Sequence, residues 1–580
     1  MKNPIRNSVL IAVAALAIAP YFIGLGASSL WDSNEAFYAE TPREMIESND
    51  FINPSFNYQP RFNKPPLSYW IVAAFYKAFG VGEATERLAI VLGALLMIAI
   101  AYALGRIIYS REAGLLAAIA MAAAPRFLMF SRRIMIDVWV AMFMSAALLL
   151  FALAEIYPQK RRTYLALMYG AVGLGVITKG PVAAALPALV FLIYIAVYGR
   201  LKKLRKMMLP VGAIIVAAIA LPWYAAVYAE HGWQYIETFI LKDNLSRYTQ
   251  PVWGPRRGLL FYAPVMLGDM FPWSVFLLVA AWFAARDNLI GLRARFTKTN
   301  NSTAIAESEM GDGSEDESRR RARALPAIWV IVIVVFFSLS SNKEDLYILP
   351  IYPAAAAIVG GLIACFMRQE NSSSQHQTIR WATAALGLII AIAGATAIYL
   401  FGGAANNYAL AGATVTGALA AIGGIAALIA IFIKREFVAI ILTALSVIAV
   451  NWVFVARTLP DFERFKPVRA MCERIKSEAS ADAMVGYYRF ASPSMAFYLR
   501  RHVFEYYEPD DLAAAFASGK EVYCLMAAQD FEAIKDRLKA QLYVLESRPV
   551  FQVKLKGILD RVELPQVVLI SNKDGANLAQ

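Results

Sequence analysis

Long apolar runs, broken at short intervals by basic clusters or by aromatic-rich polar loops, dominate the first four-fifths of the chain. Stretches of about 18 to 22 apolar residues are what a helix needs to cross a bilayer. They predict thirteen spans, at 8–28, 86–108, 113–130, 135–156, 164–178, 181–198, 208–228, 258–284, 325–341, 346–366, 381–402, 410–433 and 436–456. After Ala456 the pattern changes. Short apolar runs, AMVGYY, EVYCLM, QLYVL and QVVLI, alternate with stretches of helical period, PVRAMCERIKSEA, DDLAAAFASG and FEAIKDRLKA. That alternation predicts a small water-soluble α/β domain over 457–580. The chain therefore reads as a polytopic α-helical membrane protein, with about 13 transmembrane helices in 1–456 and a C-terminal α/β domain.

Composition strengthens this reading. Of 580 residues, 59% are hydrophobic and only 17% charged, too few charges to coat the three or four domains a soluble chain of this length would form. Three cysteines cannot build a disulfide framework, and Cys472 and Cys524 in the tail are expected to be reduced. The net charge of +13 would suggest nucleic acid in a soluble protein, but in a membrane protein the position of each cation matters more. With the N-terminus in the cytoplasm, the inside segments hold 24 Lys and Arg against 14 on the opposite loops, and the tail holds 18. The positive-inside bias thus predicts a cytoplasmic N-terminus, and the odd number of spans puts the tail outside. In a bacterium this is the inner membrane, with a periplasmic C-terminal domain.

Two outer loops, 29–85 and 229–257, are long and rich in Trp, Tyr, Asn and Pro. Within the first, LSYWIVAAFYKAFG is too short to cross and predicts a helix along the membrane surface, with Lys77 reaching the headgroups. The cytoplasmic linker 286–323 is polar and poor in aromatics, and predicts a disordered loop whose acidic and basic blocks are solvated.

The chemistry is expected where charges gather on the outer face: Asp32, Glu35, Arg43, Arg61 and Lys64 in the first loop; Arg132, Arg133 and Asp137 after the third span; Lys242, Arg247, Arg256 and Arg257 in the fourth outer loop; Lys343 and Tyr347 in SSNKEDLYILP. Cations opposite the positive-inside side, mixed with carboxylates and aromatics, fit a lipid-linked phosphate. Singly, each has a bland reading. Tyr and Trp at loop edges anchor interfaces, and Arg132 and Arg133 would contact headgroups. Asp137 opens an apolar run, which is costly unless it is paired or solvated. Lys64 precedes Pro65 and Pro66, which restrict the backbone and so aim its side chain. His231, His376 and His502 are scattered, which argues against a histidine metal site.

The stretch WDSNEAFYAETPREMIESNDFINPSFNYQPRFNKPPLSYW resembles the first outer loop of the polyprenyl-phosphate-dependent glycosyltransferases, the family of lipid A aminoarabinose transferases and protein O-mannosyltransferases. The resemblance continues through RRIMID, TKGP, DNLSRY, GDMFPW and FSLSSNKEDLYILPIYP. It implies a GT-C fold, a sugar donor on undecaprenyl or a similar polyprenyl phosphate, and a site at the periplasmic face. It further implies that Lys64, with Arg61, Tyr38, Arg247, Lys343 and Tyr347, binds the donor phosphate, and that Asp137 is one of the acidic groups. Where the family reads Asp-Glu, this chain has Asn34-Glu35. Asparagine cannot act as a base, so that role passes to Asp32, Glu35 or Asp137, or is unnecessary for an acceptor phosphate that is already ionised.

The function this implies is an inverting transfer to lipid A, or alternatively to a protein or another periplasmic glycan. Membrane lipids are the other partners, and nucleic acid is not one. Without a nucleotide no metal is obligatory, and a divalent cation is left open. A lipid or sugar transporter is the competing class. Such proteins carry mid-membrane charges and repeated halves, which this pattern lacks. A noncatalytic scaffold is the remaining one.

Overall fold

The computed structural model describes residues 4–574 apart from 33, 134, 251–256, 298–314, 403–407, 539, 552–554 and 561; the side chains of 4, 236, 244, 247, 287–297, 555 and 556 also lie outside the description. Among the described residues, eight helices are long and apolar enough to cross a membrane, or nine if the bent pair Arg111–Ala123 and Pro125–Ser131 is one span. Four shorter apolar helices accompany them: Ile5–Tyr21, Val182–Val197, Leu259–Asp269 and Ser274–Arg286. The expected thirteen full-length spans are therefore not all of that length. The run 258–284, for example, is two helices because the chain turns at 270–273, where Pro272 cannot continue the first.

Small residues bring the helices together. A Cβ on Gly387 of Ser373–Phe401 would lie 2.9 Å from the Gly424 carbonyl of Ala413–Phe432, and one on Gly360 of Tyr352–Met367 would collide with the Ala113 carbonyl. Close backbone approach of this kind supplies the dispersion that replaces the hydrophobic effect within lipid. The bent pair turns by 68° at Ala124, which precedes Pro125 and takes the extended backbone that proline imposes on its predecessor. The bend returns Arg132 to the carbonyls of Pro20 (2.7 Å), Tyr21 (3.3 Å) and Gly24 (3.1 Å). Pro20 and Tyr21 are in the last turn of the first helix and Gly24 just beyond it, where carbonyls lack helical partners. Arg132, expected at the headgroups, thus holds that helix end, and Arg133 lies over the Trp31 ring.

The first loop is largely structured. Helix Asn34–Ser48 buries Glu40 and Arg43, whose guanidinium donates to Glu40 (2.6 Å) and Glu47 (2.6 Å). Strands β1 (Ser55–Phe56) and β2 (Gln59–Pro60) form a hairpin, turned by Asn57 and Tyr58 with φ of 55° and 60°. Positive φ at both central residues is the turn that matches strand twist. Helix Leu67–Phe79 has 13 residues, about 20 Å of rise, short of a roughly 30 Å hydrocarbon core. Lys77, expected at the headgroups, sits 4.4 Å over the Phe51 ring within the loop.

The linker is more ordered at its flanks than expected. Helix Ser274–Thr297 runs well into it, and Glu315–Ala322 is helical, its acids and bases paired as Glu315–Arg319 and Glu317–Arg321. Acid four residues before base supports a helix. The remainder of the predicted loop, 298–314, lies outside the described residues.

The C-terminal segment forms one sheet of strands β3 (Met484–Tyr488), β4 (Phe504–Tyr506), β5 (Val522–Ala527), β6 (Tyr543–Pro549) and β7 (Gln566–Ser571), ordered β4-β3-β5-β7-β6. The β3 pairings with β4 and β5 are parallel and those of β7 antiparallel. Strands β3, β5, β6 and β7 fall on the four apolar runs; β4, three residues long, has too short a pattern to be read. Cys472 and Cys524 are buried, free thiols. The domain sits on the first loop: Asn57 donates to the Val503 carbonyl and accepts from its amide, both at 2.8 Å, and Tyr498 accepts from the Leu30 amide at 2.8 Å.

Candidate active site

Two lysine–aspartate pairs meet one cavity. Lys64, held ahead of Pro65 and Pro66, donates to Asp243 at 3.1 Å and to the Asn63 carbonyl at 2.8 Å, while the Asn63 amide reaches the same Asp243 oxygen at 3.3 Å. Asp243 comes from the second loop, in the segment Glu237–Ser246. Lys179, the last residue of helix Arg161–Lys179, donates to Asp137 in the first turn of Ile136–Ile156. That helix stops where Gly180 takes φ of +95°, a backbone side chains rarely tolerate, and Pro181 follows. The first pair joins the two long loops and the second joins two helix ends, so neither lies in the middle of an apolar helix. In each pair the side chains are at most one-fifth exposed.

The cavity has a volume of about 530 Å³ and is lined by these four groups together with Ser340, Tyr248 and Tyr347. Val140, Met144, Leu186, Phe336 and Phe337 make the rest of its wall apolar. The Tyr347 ring lies 5.2 Å from the Lys179 ammonium. A site with two cations, each held by a carboxylate, and a long apolar wall suits an amphiphile with an anionic head. The head competes with the aspartates for the lysines, and the chain lies along the wall.

Of the residues expected from sequence, Lys64, Asp137 and Tyr347 line this cavity. Lys343 is buried beside it, its ammonium donating to the carbonyl of Ser340 at 2.6 Å. Arg61 stacks 4.0 Å over Phe37, and Tyr38 stacks on Tyr69 at 5.9 Å. Burial raises the Tyr69 phenol above its usual range; Arg61 opposes the shift and Asp243 adds to it. Arg61 and Tyr38 are thus neighbours of Tyr69 and are not part of the cavity lining. The Arg247 side chain lies outside the described residues.

Glu35 and Asp32 are placed elsewhere. Glu35 is buried and bonded to Arg87 at 3.2 Å, and Arg87 also holds the carbonyls of Leu25 (2.7 Å), Ser28 (2.6 Å) and Ser29 (3.0 Å). Burial pushes this carboxyl up, but the Arg87 and Lys466 cations outweigh it and hold Glu35 below the ordinary carboxylate range. A carboxylate so engaged is a clamp on the loop. Asp32 accepts from the amide (2.8 Å) and hydroxyl (2.7 Å) of Ser494 and lines a second cavity, against the C-terminal domain. The crowd of protein around it, opposed by Ser494 and Lys466, moves it up to about 6.

Lys179, Asp243 and Tyr248 were not singled out by the sequence. They lie in TKGP and DNLSRY, so the segments were legible and the individual roles were not. Arg87 had a signal that could have been used: an arginine at the head of an apolar run requires a partner.

A family model described as dolichyl-phosphate-mannose-protein mannosyltransferase matches residues 63–225. An uncharacterized protein of Aquifex aeolicus is 28% identical over 360 residues, 62% of this chain and 64% of that protein. The undecaprenyl phosphate-alpha-4-amino-4-deoxy-L-arabinose arabinosyl transferase 1 of Pseudomonas fluorescens is 25% identical over 407 residues, 64% of this chain and 62% of that one. The match thus spans a little under two thirds of the length of these relatives. In fold, the chain is similar to ArnT from Cupriavidus metallidurans bound to undecaprenyl phosphate, with a TM-score of 0.74 at 21% identity, covering 97% of this chain and 98% of that one. The chain is thus a multi-pass membrane protein of GT-C architecture, related to the polyprenyl-phosphate-dependent glycosyltransferases.

Proposed function

We propose that this chain is an inverting glycosyltransferase that moves a sugar from a polyprenyl-phosphate donor to an acceptor at the periplasmic face of the bacterial inner membrane. The acceptor in this reading is lipid A, as for an aminoarabinose transferase. The observation that carries it is the convergence of Lys64–Asp243 and Lys179–Asp137 on a cavity whose remaining wall is apolar. The relationship to the arabinosyl transferases supports it. The thirteen spans, and a C-terminal domain on the periplasmic side, belong to the same proposal.

The reaction follows from the charges. An acceptor oxygen attacks the anomeric carbon; the bond from that carbon to the phosphate oxygen breaks, and its electron pair stays on the polyprenyl phosphate. The growing negative charge needs cations already in place. Lys64 and Lys179 exchange their carboxylates for the phosphate oxygens, and a preorganised donor of this kind is worth about 10²–10³ in rate. Displacing Lys179 frees Asp137, which then takes the proton of a hydroxyl acceptor; an ionised phosphate acceptor needs no base. Tyr347 and the buried Lys343 frame the head.

The match to a protein mannosyltransferase model over residues 63–225 favours one second reading, with a protein hydroxyl as acceptor. The purified chain in nanodiscs, given a polyprenyl-phosphate sugar labelled in the sugar, is expected to transfer label to lipid A and to lose this in Lys64→Ala. Label on protein alone would move the acceptor to the second reading, and no transfer from any polyprenyl-phosphate sugar would overturn the proposal. Mass spectrometry of a deletion strain gives the same division in the cell: an aminopentose missing from lipid A supports the first reading.

A further inference from the structure

A second cavity lies between the C-terminal domain and the first loop. In open α/β sheets, ligands lie outside the carboxyl ends of parallel strands where consecutive connections leave in opposite directions. Strands β3 and β5 are parallel neighbours. From β3 the chain leaves through Ser494–Leu499 to β4 on one side; from β5 it leaves through Ala528–Ile534 to β6 on the other. A cavity of about 560 Å³ opens there, lined by Arg489 and Phe490 after β3, by Asp530 after β5, and by Trp31 and Asp32 of the first loop with Lys466. That volume is within the roughly 300–1,000 Å³ of small-molecule sites.

Its lining suits a sugar better than a phosphate. The amide of Ser494, where a nucleotide-binding domain would hold an anion, is already taken by the Asp32 carboxylate at 2.8 Å. RFASPS after β3 carries no glycine cradle. The lining carries two carboxylates, Asp32 and Asp530, and two cations, Lys466 and Arg489, of which Arg489 also pairs with Glu508 at 3.8 Å. Lys466 is spent on Ser28 (3.1 Å) and on the Trp31 ring (4.4 Å). Asp530 makes no hydrogen bond or ion pair among the described residues. Arg489 holds a left-handed backbone, φ of 51°, and bonds the Tyr507 carbonyl at 2.7 Å, which fixes it at the rim. Strain of this sort persists where the surroundings over-determine it, commonly at ligand sites. Phe490 supplies an apolar wall, while the Trp31 ring is already covered by Phe462 at 5.5 Å and by the Lys466 and Arg133 cations and offers its edge. With as many acidic as basic side chains in its lining, carboxylates for hydroxyl donors, a guanidinium for ring oxygens and an aromatic wall at Phe490, the crevice matches an uncharged pyranose.

We infer that the cavity between the first loop and the C-terminal domain is a saccharide site, separate from the lysine–aspartate cavity, that takes a neutral hexose ring of a glycan. Its use for the acceptor's glycan rests on the transfer reading above; the binding itself does not.

The test is saturation-transfer NMR on the full chain in nanodiscs, with N,N′-diacetylchitobiose as probe and inorganic phosphate as competitor. Ring-proton saturation is expected. It should fall at least about fivefold (roughly 1 kcal/mol) in Asp530→Ala and in Arg489→Ala, persist in part in Asp530→Asn, and resist an excess of inorganic phosphate. Size-exclusion profiles and melting temperatures report whether each variant is folded. No saturation of the wild type, equal saturation in both alanine variants, or displacement by phosphate overturns the site. Lys64→Ala should bind the probe as the wild type does. A chain that binds chitobiose yet transfers nothing keeps the site and loses the transferase reading; one that transfers sugar yet binds no saccharide here does the reverse.

Discussion

Lys64 and Asp243, 179 positions apart in the chain, meet at 3.1 Å, and the Asn63 amide shares the same carboxylate oxygen. The pair ties the first loop to the second across the mouth of the cavity. In the proposed reaction the anionic head of the donor competes with Asp243 for the Lys64 ammonium, which couples donor binding to the contact between the two loops. The Lys179–Asp137 pair does the same between two helix ends.

Removing either lysine should therefore remove transition-state charge stabilisation. Lys64→Ala and Lys179→Ala are each expected to lower kcat/KM by about 10²–10³-fold, with a smaller loss in the arginine variants, which keep the charge. Steady-state kinetics with a polyprenyl-phosphate sugar decides this. A loss confined to one of the two would show that the head rests on one pair alone.

Gly180 is expected to be sensitive beyond its size. An alanine there must adopt φ of +95°, at about 1–3 kcal/mol, or else move the end of the helix that carries Lys179. Gly180→Ala should reduce turnover more than it reduces the melting temperature, as measured on one preparation.

Breaking the Glu35–Arg87 clamp should affect folding first. Removing one partner of a buried ion pair typically costs about 3–5 kcal/mol, so Arg87→Ala is expected to express poorly or melt early. Because Glu35 titrates below its unfolded value, its contribution is full above about pH 4.3 and is lost as pH falls through the lower folded value. Thermal unfolding between pH 3 and pH 7, wild type against Glu35→Gln, should converge at the acid end.

Asn57 bridges the hairpin turn to Val503 by two hydrogen bonds. Its replacement by alanine strands a buried amide and carbonyl, each worth about 1–3 kcal/mol. Limited proteolysis of Asn57→Ala should release the C-terminal domain faster than from the wild type, while the membrane domain stays intact.

Sidedness can be read at Gln59, exposed at the hairpin. In Gln59→Cys, a membrane-impermeant maleimide is expected to label intact spheroplasts. Labelling only after lysis would place the loop in the cytoplasm and remove the basis for a periplasmic site.

Several features were legible in the chain itself because each depends on local physics. The bilayer demands apolar runs whatever their neighbours, so the membrane region and the onset of the polar tail at Ala456 stand out in composition. Pro65 and Pro66 restrict the backbone beside Lys64 without help from elsewhere, and the apolar alternation of β3, β5, β6 and β7 shows four of five strands. The close helix contacts at Gly360 and Gly387 carry no such mark, since a glycine does not say which backbone will approach it.

Charge type is visible in a sequence, but charge partnership is not. Glu35, Asp32 and Asp137 are all simply carboxylates in the sequence. Only the fold gives Glu35 to Arg87, Asp32 to Ser494 and Asp137 to Lys179, over separations of 52, 462 and 42 positions. A carboxylate's role follows from what surrounds it, because Coulomb attraction and desolvation depend on distances of a few ångströms, and those distances are set where the chain returns upon itself. The sequence by itself determined that this protein lives in a membrane and carries cations and acids suited to a phosphate-headed lipid; the tertiary structure alone decided which of them face the cavity.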